Sequence, residues 1–231
     1  MYSRPQKLIA EFFGTFALIF FGAGSICADQ LLKSSGDAGL GLLGIALAHG
    51  LAIAIMVSSM GHISGGHYNP AITIGFWVTR RLGFIDTILY WFAQLLGAST
   101  AAFLLRVMVP ETIWQAVQLG TPALANGLTR TDGMLIEGIM AFFLVFVVFA
   151  TAVDEKGAFN KIAGFGIGLT ITMGALFGGP FTGGSMNPAR AFGPALVSHH
   201  WMNQGVYWVG PLAGGVLAAS IYDTAFLRRR T

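Results

Sequence analysis

A tripeptide, Asn-Pro-Ala, occurs twice in this chain, each time after a glycine-rich stretch. The two copies are Asn69-Pro70-Ala71 and Asn187-Pro188-Ala189. Asn caps free backbone N–H groups and Pro tolerates the first helical position, so each copy predicts the start of a helix. Long apolar segments flank both starts. The pattern therefore predicts two half-helices whose positive ends meet inside a bilayer, an arrangement that handles small polar solutes and favours a pore.

The composition places the chain in a membrane. It is 55% hydrophobic and 10% charged, whereas a soluble domain carries about a quarter charged residues. The net charge of +3 could indicate a nucleic-acid partner. The cations lie at the ends of apolar stretches rather than in one patch, so we expect no nucleic acid.

Several apolar stretches approach or exceed the roughly 20 residues that cross a bilayer as a helix. They cover residues 8–28, 39–60, 84–108, 134–153, 161–179 and 204–226. Two shorter stretches, 69–78 and 187–198, follow the Asn-Pro starts and cannot cross alone. The loops 61–68 and 178–186 must then face a wet cavity, because bare backbone is not tolerated in lipid.

The distribution of Lys and Arg predicts the orientation. With both termini in the cytoplasm, nine cations lie inside and three outside, as the positive-inside rule requires. The inner set is Arg4, Lys7, Arg80, Arg81, Lys156, Lys161, Arg228, Arg229 and Arg230, and the outer set is Lys33, Arg106 and Arg130. We therefore expect a multi-pass protein of the cell (inner or plasma) membrane with both termini cytoplasmic.

The two halves of the chain repeat one pattern. Residues 8–108 and 134–226 each contain a Glu in a first helix, a second helix, a glycine-rich loop, Asn-Pro-Ala and a third helix. Three crossings per half insert the second copy upside down, which predicts an inverted repeat with its site at the midplane. The fold class expected is an all-α membrane protein with six transmembrane helices and two re-entrant half-helices, forming one channel domain over residues 1–231.

Two kinds of polar residue are expected to line the pore. The amides of Asn69 and Asn187 could donate to one water oxygen where the half-helices meet. A single copy would be interpreted as a plain N-cap, but two copies in an inverted repeat favour the pore. Arg190 follows the second Asn-Pro-Ala, and a charge at that depth needs a wet cavity or a partner. It would repel cations whether or not it also bonds loop carbonyls.

The acids inside apolar helices allow two interpretations. Glu11 and Glu137 could relay protons in a coupled transporter. Their matched places in the repeat favour a bracing role instead, in which each accepts N–H groups of its own re-entrant loop. His67 is expected to brace the loop in which it lies, and His49 to line the pore.

An enzyme is not expected. Ser185 follows glycines, but the Gly-x-Ser-x-Gly elbow of a hydrolase is missing, and a duplicated Asn-Pro-Ala has no use in catalysis. No His, Cys, Asp or Glu spacing suits a metal. We predict no cofactor and no metal.

These residues resemble the major intrinsic proteins, the aquaporin family, over essentially the whole chain. The resemblance rests on the paired Asn-Pro-Ala boxes, the second followed by Arg190, and on Ala-Glu-Phe-Phe-Gly-Thr-Phe in the first helix, residues 10–16. It implies a homotetramer in which each subunit holds its own pore, with water as the solute and the lipid bilayer as surroundings. It implies no cofactor and no catalysis.

Within the family, the resemblance favours a prokaryotic-type water channel over a glycerol facilitator. Glycerol facilitators carry Asp and a basic residue where this chain has Ala191 and Ala195. By family alignment the selectivity filter falls on His49, Ala175, Gly184 and Arg190. This set looks more like plant vacuolar aquaporins than water-strict bacterial members, so the widened filter could also pass ammonia, urea or glycerol.

Three further expectations follow. Protonation of His49 could tune conductance, a hypothesis that a flat pH profile would contradict. Cys27 should lie far from the constriction and give weak inhibition by mercurials. A proton-coupled secondary transporter, and a membrane scaffold without permeability, stay open as alternatives.

Overall fold

The computed structural model describes residues 2–156 and 162–227. The helices within these ranges are α1 Arg4–Ser34, α2 Gly41–Ser64, α3 Pro70–Val78, α4 Phe84–Met108, α5 Glu111–Ala116, α6 Arg130–Val153, α7 Ala163–Thr182, α8 Pro188–Ser198 and α9 Val206–Tyr222. No strand occurs in the described ranges. Lys161 and Arg228 to Arg230, which the charge count used, and the start of the 161–179 stretch lie outside the described residues.

Five helices, α1, α2, α4, α6 and α7, are long and apolar enough to cross a membrane. The sixth, α9, has 17 residues and continues as a π-helical turn over Asp223–Leu227, so it also reaches the length of a crossing. Similar π-helical turns occur in α1 at Leu18–Ala23 and in α6 at Phe149–Val153. The half-helices α3 and α8 are shorter, with 9 and 11 residues. The expected all-α membrane fold is confirmed.

The packing of the helices follows the same scheme in both halves. α1 packs along α4 in the first half and α6 along α9 in the second, while α2 and α7 cross between the halves. At this crossing Gly50 and Gly168 lie against each other's backbone, and a Cβ on either would collide with the other's carbonyl oxygen. Small residues at such points let helices approach closely in lipid.

The two re-entrant loops are shorter than the sequence predicts. α2 continues to Ser64 and α7 to Thr182, so the non-helical stretches are 65–69 and 183–187 rather than 61–68 and 178–186. Each helix ends at a glycine in the left-handed region, Gly65 with φ 95° and Gly183 with φ 83°. Gly61, Gly178 and Gly179 of the predicted loops lie within helices, which reduces the backbone that has to be satisfied inside the bundle.

Two ion pairs bring distant parts of the chain to one end of the bundle. Arg4 Nε lies 2.6 Å from Asp86 Oδ1, and Arg81 Nη1 lies 2.7 Å from Asp223 Oδ1. They join the starts of α1 and α4 and the end of α9. At the opposite end, Arg106 donates to the Val197 carbonyl at 2.9 Å.

Candidate functional site

The two re-entrant loops follow the same backbone path. Positive φ angles occur at the first, second and fourth residue of each loop, namely Gly65, Gly66 and Tyr68 in one and Gly183, Gly184 and Met186 in the other. The left-handed conformation is strained for Tyr and Met. The surrounding contacts must therefore hold both loops firmly in place.

The two asparagines join the loops by crossed hydrogen bonds. Asn69 Nδ2 donates to the Met186 carbonyl and Asn187 Nδ2 to the Tyr68 carbonyl, both at 2.9 Å. The side-chain oxygens accept from the first turns of α3 and α8, at Ala71 N (2.8 Å) and Ala189 N (2.9 Å). An amide nitrogen has two N–H groups, so each asparagine keeps one N–H beyond these bonds.

Glu11 lies behind the first loop and holds it with both carboxylate oxygens. Oε1 accepts from the Ser64 hydroxyl at 2.6 Å and from His67 N at 3.0 Å. Oε2 accepts from Tyr68 N at 2.7 Å and from Gln94 Nε2 at 2.7 Å. The side chain is completely buried, so all four donors come from protein.

Glu137 holds the second loop in the same way. Oε1 accepts from the Thr182 hydroxyl at 2.6 Å and Ser185 N at 2.9 Å, and Oε2 accepts from Met186 N at 2.6 Å. A tyrosine then fixes the residue that precedes each loop. The Tyr90 hydroxyl donates to the Ser64 carbonyl and the Tyr207 hydroxyl to the Thr182 carbonyl, both at 2.8 Å.

The first loop has an additional polar cluster. The Thr73 hydroxyl donates to the Asn69 carbonyl at 3.0 Å and accepts from Gln94 Nε2 at 3.0 Å. His67 Nδ1 lies 3.1 Å from the same hydroxyl. Because that hydroxyl has a single proton, His67 Nδ1 is the donor, which leaves Nε2 as the acceptor of a neutral ring.

A narrow cavity runs past both asparagines. Its polar lining consists of side chains predicted from the sequence together with one loop serine: His49, His67, Asn69, Ser185, Asn187 and Arg190. Its apolar lining includes Leu18, Ile53, Ile72, Leu144 and Ile171. The cavity thus has polar groups from the loops and half-helices on one side and apolar helix faces on the other.

Arg190 and His49 meet at this cavity. Arg190 Nη1 donates to the Gly120 carbonyl at 2.7 Å, and Nη2 lies 3.2 Å from His49 Nε2. His49 Nδ1 lies 2.9 Å from the Ile45 carbonyl and must donate, since a carbonyl only accepts. Nε2 of the neutral ring then accepts from Arg190. Arg190 Nε is buried and has no hydrogen-bond partner, and each Nη has a second N–H, so three of the five donors of the guanidinium take no part in these bonds.

The other two filter positions are small and pack against each other. Gly184 lines the cavity, and a Cβ placed on it would come within 3.0 Å of Ala175 Cα. Ala175 is 93% buried and does not line the cavity. Ile171, one turn earlier on α7, lines it instead.

The remaining predicted residues lie behind the lining. Pro70, Ala71, Pro188 and Ala189 are buried in the first turns of the half-helices. Within residues 2–156 and 162–227, no group of three or more His, Cys, Asp or Glu side chains could hold a metal ion. Cys27 is free, buried and absent from the cavity lining.

Sequence reasoning missed several contributors to the site. Gln94 is a lone amide within apolar α4, and polar side chains inside such helices usually bond across helices, so its place could have been inferred. Tyr90 and Thr73 carry no comparable signal. The Gly120 carbonyl has none, because any residue supplies a carbonyl and only the fold brings this one to Arg190.

The chain was compared with known proteins. The profile of the major intrinsic proteins matches residues 2–222. Aquaporin TIP4-4 of Zea mays is 44% identical over 225 residues, which cover 96% of this chain and 87% of the relative. Probable aquaporin TIP3-2 of Arabidopsis thaliana is also 44% identical over 225 residues, covering 94% and 82%.

One solved structure has the same fold. The X-ray structure of the aquaglyceroporin from Plasmodium falciparum superposes with a TM-score of 0.81 at 24% identity, over 96% of this chain and 97% of that one. At this identity the likeness concerns the fold alone. Taken with the matched profile and the relatives at 44% identity, it leads to one conclusion: this chain belongs to the major intrinsic protein family.

Proposed function

We propose that this protein is a passive water channel that excludes protons and ions and is not an enzyme. The crossed asparagine pair is the observation that carries the proposal. Each amide donates one N–H to the opposite loop, and its oxygen accepts from its own half-helix. Both asparagines line the cavity. Two N–H groups therefore remain to donate to a solute at the centre of the molecule.

A water at this point would turn its oxygen toward the two amides. The N-termini of α3 and α8 add about half a positive charge each, which favours the same orientation. The water oxygen would then accept no hydrogen bond from a neighbouring water. The walls opposite the asparagines are apolar side chains such as Ile53 and Leu144 and offer no other partner. A chain of waters would be interrupted at this point, so water would pass without protons.

Arg190 and His49 would form the second barrier. The guanidinium is fixed by the Gly120 carbonyl and by His49, and its buried Nε offers a donor without a partner. A fixed cation beside a narrow passage repels other cations and can donate to a neutral solute. We assign the filter to His49, Ala175, Gly184 and Arg190.

The braces of the two loops argue against a proton-coupled transporter. A relay carboxylate needs access to water, but Glu11 is completely buried and both its oxygens accept from protein donors. Glu137 is equally buried and accepts three such bonds. We propose that Glu11 and Glu137 are structural and, with His67, hold the loops in place.

Small neutral solutes are the second candidate, and the filter favours them. Ala175 and Gly184 present no ring and no hydroxyl, so less of the opening is filled than in a filter with larger residues. The solved structure with the same fold is named an aquaglyceroporin. Ammonia, urea and glycerol are accordingly solutes that this protein could admit besides water.

The wider assignment follows from the same reasoning. We propose one channel domain over residues 1–231 with inverted repeats at 8–108 and 134–226, assembled as a homotetramer. The multi-pass chain would lie in the cell membrane with both termini in the cytoplasm. The cations Arg4, Arg81 and Lys156 would then lie on the cytoplasmic side, as the positive-inside rule requires.

Stopped-flow light scattering on proteoliposomes tests the proposal. Osmotic shrinkage should be faster than in empty liposomes and have a low activation energy. Re-swelling in glycerol, urea and ammonium gradients then distinguishes a strict water channel from a wider one. Asn69→Asp with Asn187→Asp keeps the caps but removes the free N–H groups together with the crossed bonds between the loops. We expect this double variant to lose most of the water permeability, and its folding is checked by its helicity.

The outcomes separate the alternatives. Shrinkage no faster than in empty liposomes, with folded protein present, would leave a scaffold or a closed channel. Saturable flux that depends on a proton gradient would indicate the secondary transporter. Fast entry of glycerol with slow water flow would indicate a glycerol facilitator.

A further inference from the structure

A deep apolar groove lies on the outer surface of the bundle between α6 and α9. Its empty volume is about 1050 Å³. Exposed side chains such as Leu135, Ile139 and Val209 form its walls, and Ala213 lies on its floor side with Gly210 and Gly214. On α6 the groove extends from Thr131 to Phe143, which is about 18 Å of helix. This length is close to the hydrocarbon thickness of one leaflet, about 15 Å.

A polar pocket adjoins the open end of this groove. It has an empty volume of about 540 Å³ and is lined by residues that include Arg130, Trp201, Asn203 and Gln204. Met134 lines both the pocket and the groove, so the two lie side by side. Together they place a polar pocket next to an apolar groove on one face of the protein.

The polar pocket contains donors and acceptors that have no hydrogen-bond partner. Both Gln204 Nε2 and Gln204 Oε1 are buried without a hydrogen-bond partner. Such a pair of unsatisfied groups is costly unless a ligand or water bonds them. Arg130 is exposed, and only its Nε is bonded, to Asn203 Oδ1 at 3.1 Å. Among the described residues no carboxylate forms an ion pair with it, because the nearby Asp132 accepts from Thr129.

We propose that this surface binds one phospholipid, with the phosphate at Arg130 and Gln204 and an acyl chain in the groove between α6 and α9. A guanidinium with free N–H groups is suited to phosphate. The Gln204 amide can donate to the phosphate or to the ester carbonyls. The indole of Trp201, 45% exposed, has the amphipathic character that is enriched at the membrane interface.

The corresponding groove of the first half adjoins a pocket that has no cation in its lining, which consists of Tyr2, Gln6, Ile9, Ala10, Met60 and Ile63. The groove between α1 and α4 has an empty volume of about 560 Å³ and an apolar lining. The cation near its end, Arg4, already pairs with Asp86 at 2.6 Å. The two halves thus differ in the feature that the proposal uses, which makes the first groove an internal control.

Native mass spectrometry of the purified, delipidated protein tests the proposal, with dioleoyl phosphatidylglycerol and with glycerol phosphate as probes. Arg130→Ala should weaken the first binding step for the lipid about tenfold, which is the effect of losing one charge-assisted hydrogen bond. Arg130→Lys should restore much of the affinity. Ala213→Trp, which fills the groove, should weaken binding about fivefold, whereas Leu89→Trp in the first groove should not. Glycerol phosphate should bind far more weakly than the lipid.

Three results would overturn the proposal. Equal lipid affinity in the wild type, Arg130→Ala and Ala213→Trp would place the lipid elsewhere. Tight binding of glycerol phosphate would make the pocket an anion site without a role for the groove. Ala213→Trp changing the oligomeric mass while lipid affinity stays constant would make the groove a contact between copies of this chain. Unchanged helicity and water flow show that a variant is folded. If Ala213→Trp misfolds, the comparison of Arg130→Ala with Arg130→Lys still tests whether the lipid binds at Arg130.

Discussion

Arg190 is the residue whose charge the channel depends on most. Replacement by Leu removes the fixed cation and leaves the Gly120 carbonyl and His49 Nε2 without their donor. We expect Arg190→Leu to let protons and small cations leak several-fold faster while water flow persists. A pH-sensitive dye inside proteoliposomes measures the leak. Arg190→Lys keeps the charge and should keep cations out, and an equal leak in both variants would contradict the electrostatic barrier.

The hydrogen bonds of His49 bear on the hypothesis that its protonation tunes the channel. Nδ1 is already protonated and Nε2 accepts from Arg190. A second proton would turn this acceptor into a donor that faces the guanidinium, with two positive charges about 3 Å apart. We therefore expect water permeability to stay flat between about pH 5 and 8, measured by stopped-flow at each pH. A sigmoidal profile that His49→Phe abolishes would restore the tuning hypothesis.

Ala175 does not line the cavity itself but packs against Gly184, which does, so a longer side chain at position 175 is a way to narrow the filter. Gly184 is unsuitable because its φ is +58° and an added Cβ would press on Ala175 Cα. Ala175 lies in a regular helix, where a larger side chain meets no backbone strain. We expect Ala175→His to reduce urea and glycerol entry more strongly than water flow in the same vesicles. Ala175→Ser is the control of similar size, and an equal loss for all solutes in Ala175→His would indicate simple blockage.

Cys27 tests the placement of α1. Its thiol is 98% buried in the helix core and outside the cavity lining. Mercuric chloride should therefore inhibit water flow only weakly in the time of a stopped-flow measurement. Strong inhibition that Cys27→Ser removes would show that this face of α1 borders the pore.

At the scale of elements, the two buried carboxylates should behave alike. In the wild type, both oxygens of each carboxylate accept from N–H groups. Glu11→Gln and Glu137→Gln each replace one of these oxygens with an NH₂ group, which is a donor and cannot accept. Leaving such a buried group unsatisfied costs about 1–3 kcal/mol. We expect both variants to lose thermal stability by similar amounts in detergent, read from tryptophan fluorescence on heating.

The control for these variants is Glu111→Gln on the short helix α5. Glu111 is exposed and accepts only from Gln115, so its replacement should change nothing. Normal stability in Glu11→Gln, combined with loss of a proton-dependent flux, would contradict bracing and favour the transporter.

The sequence predicts a helix boundary correctly where the boundary depends on the residues next to it. Asn followed by Pro located the starts of α3 and α8, because a side-chain cap and a fixed φ act within three residues. The ends of α2 and α7 were placed too early. The glycines at 61, 178 and 179 continue a helix in this protein, whereas the glycines at 65, 66, 183 and 184 adopt positive φ. Nothing in the local sequence distinguishes the helical glycines from the positive-φ glycines, because helix packing decides where the helix ends.

At the scale of the whole molecule, the repeat predicted which residues meet but not how closely. The pairing of Glu11 with the first loop and Glu137 with the second follows from matched positions in the two halves. The contact between Arg190 and the Gly120 carbonyl does not, because it joins a half-helix to a connecting segment outside the repeat. The bonds that join Thr73 to Gln94 and His67 do not follow from the repeat either, although the second half has a similar bond from the Ser185 hydroxyl to the Asn187 carbonyl.

The crossed bonds of Asn69 and Asn187 also bear on biosynthesis. The ribosome delivers the first half well before Met186 exists, so the amide of Asn69 emerges without the carbonyl that finally accepts from it. The Tyr68 carbonyl likewise waits for Asn187. The first re-entrant loop therefore completes its bonds only after the chain has been inserted as far as Asn187, so the pore is completed late in synthesis.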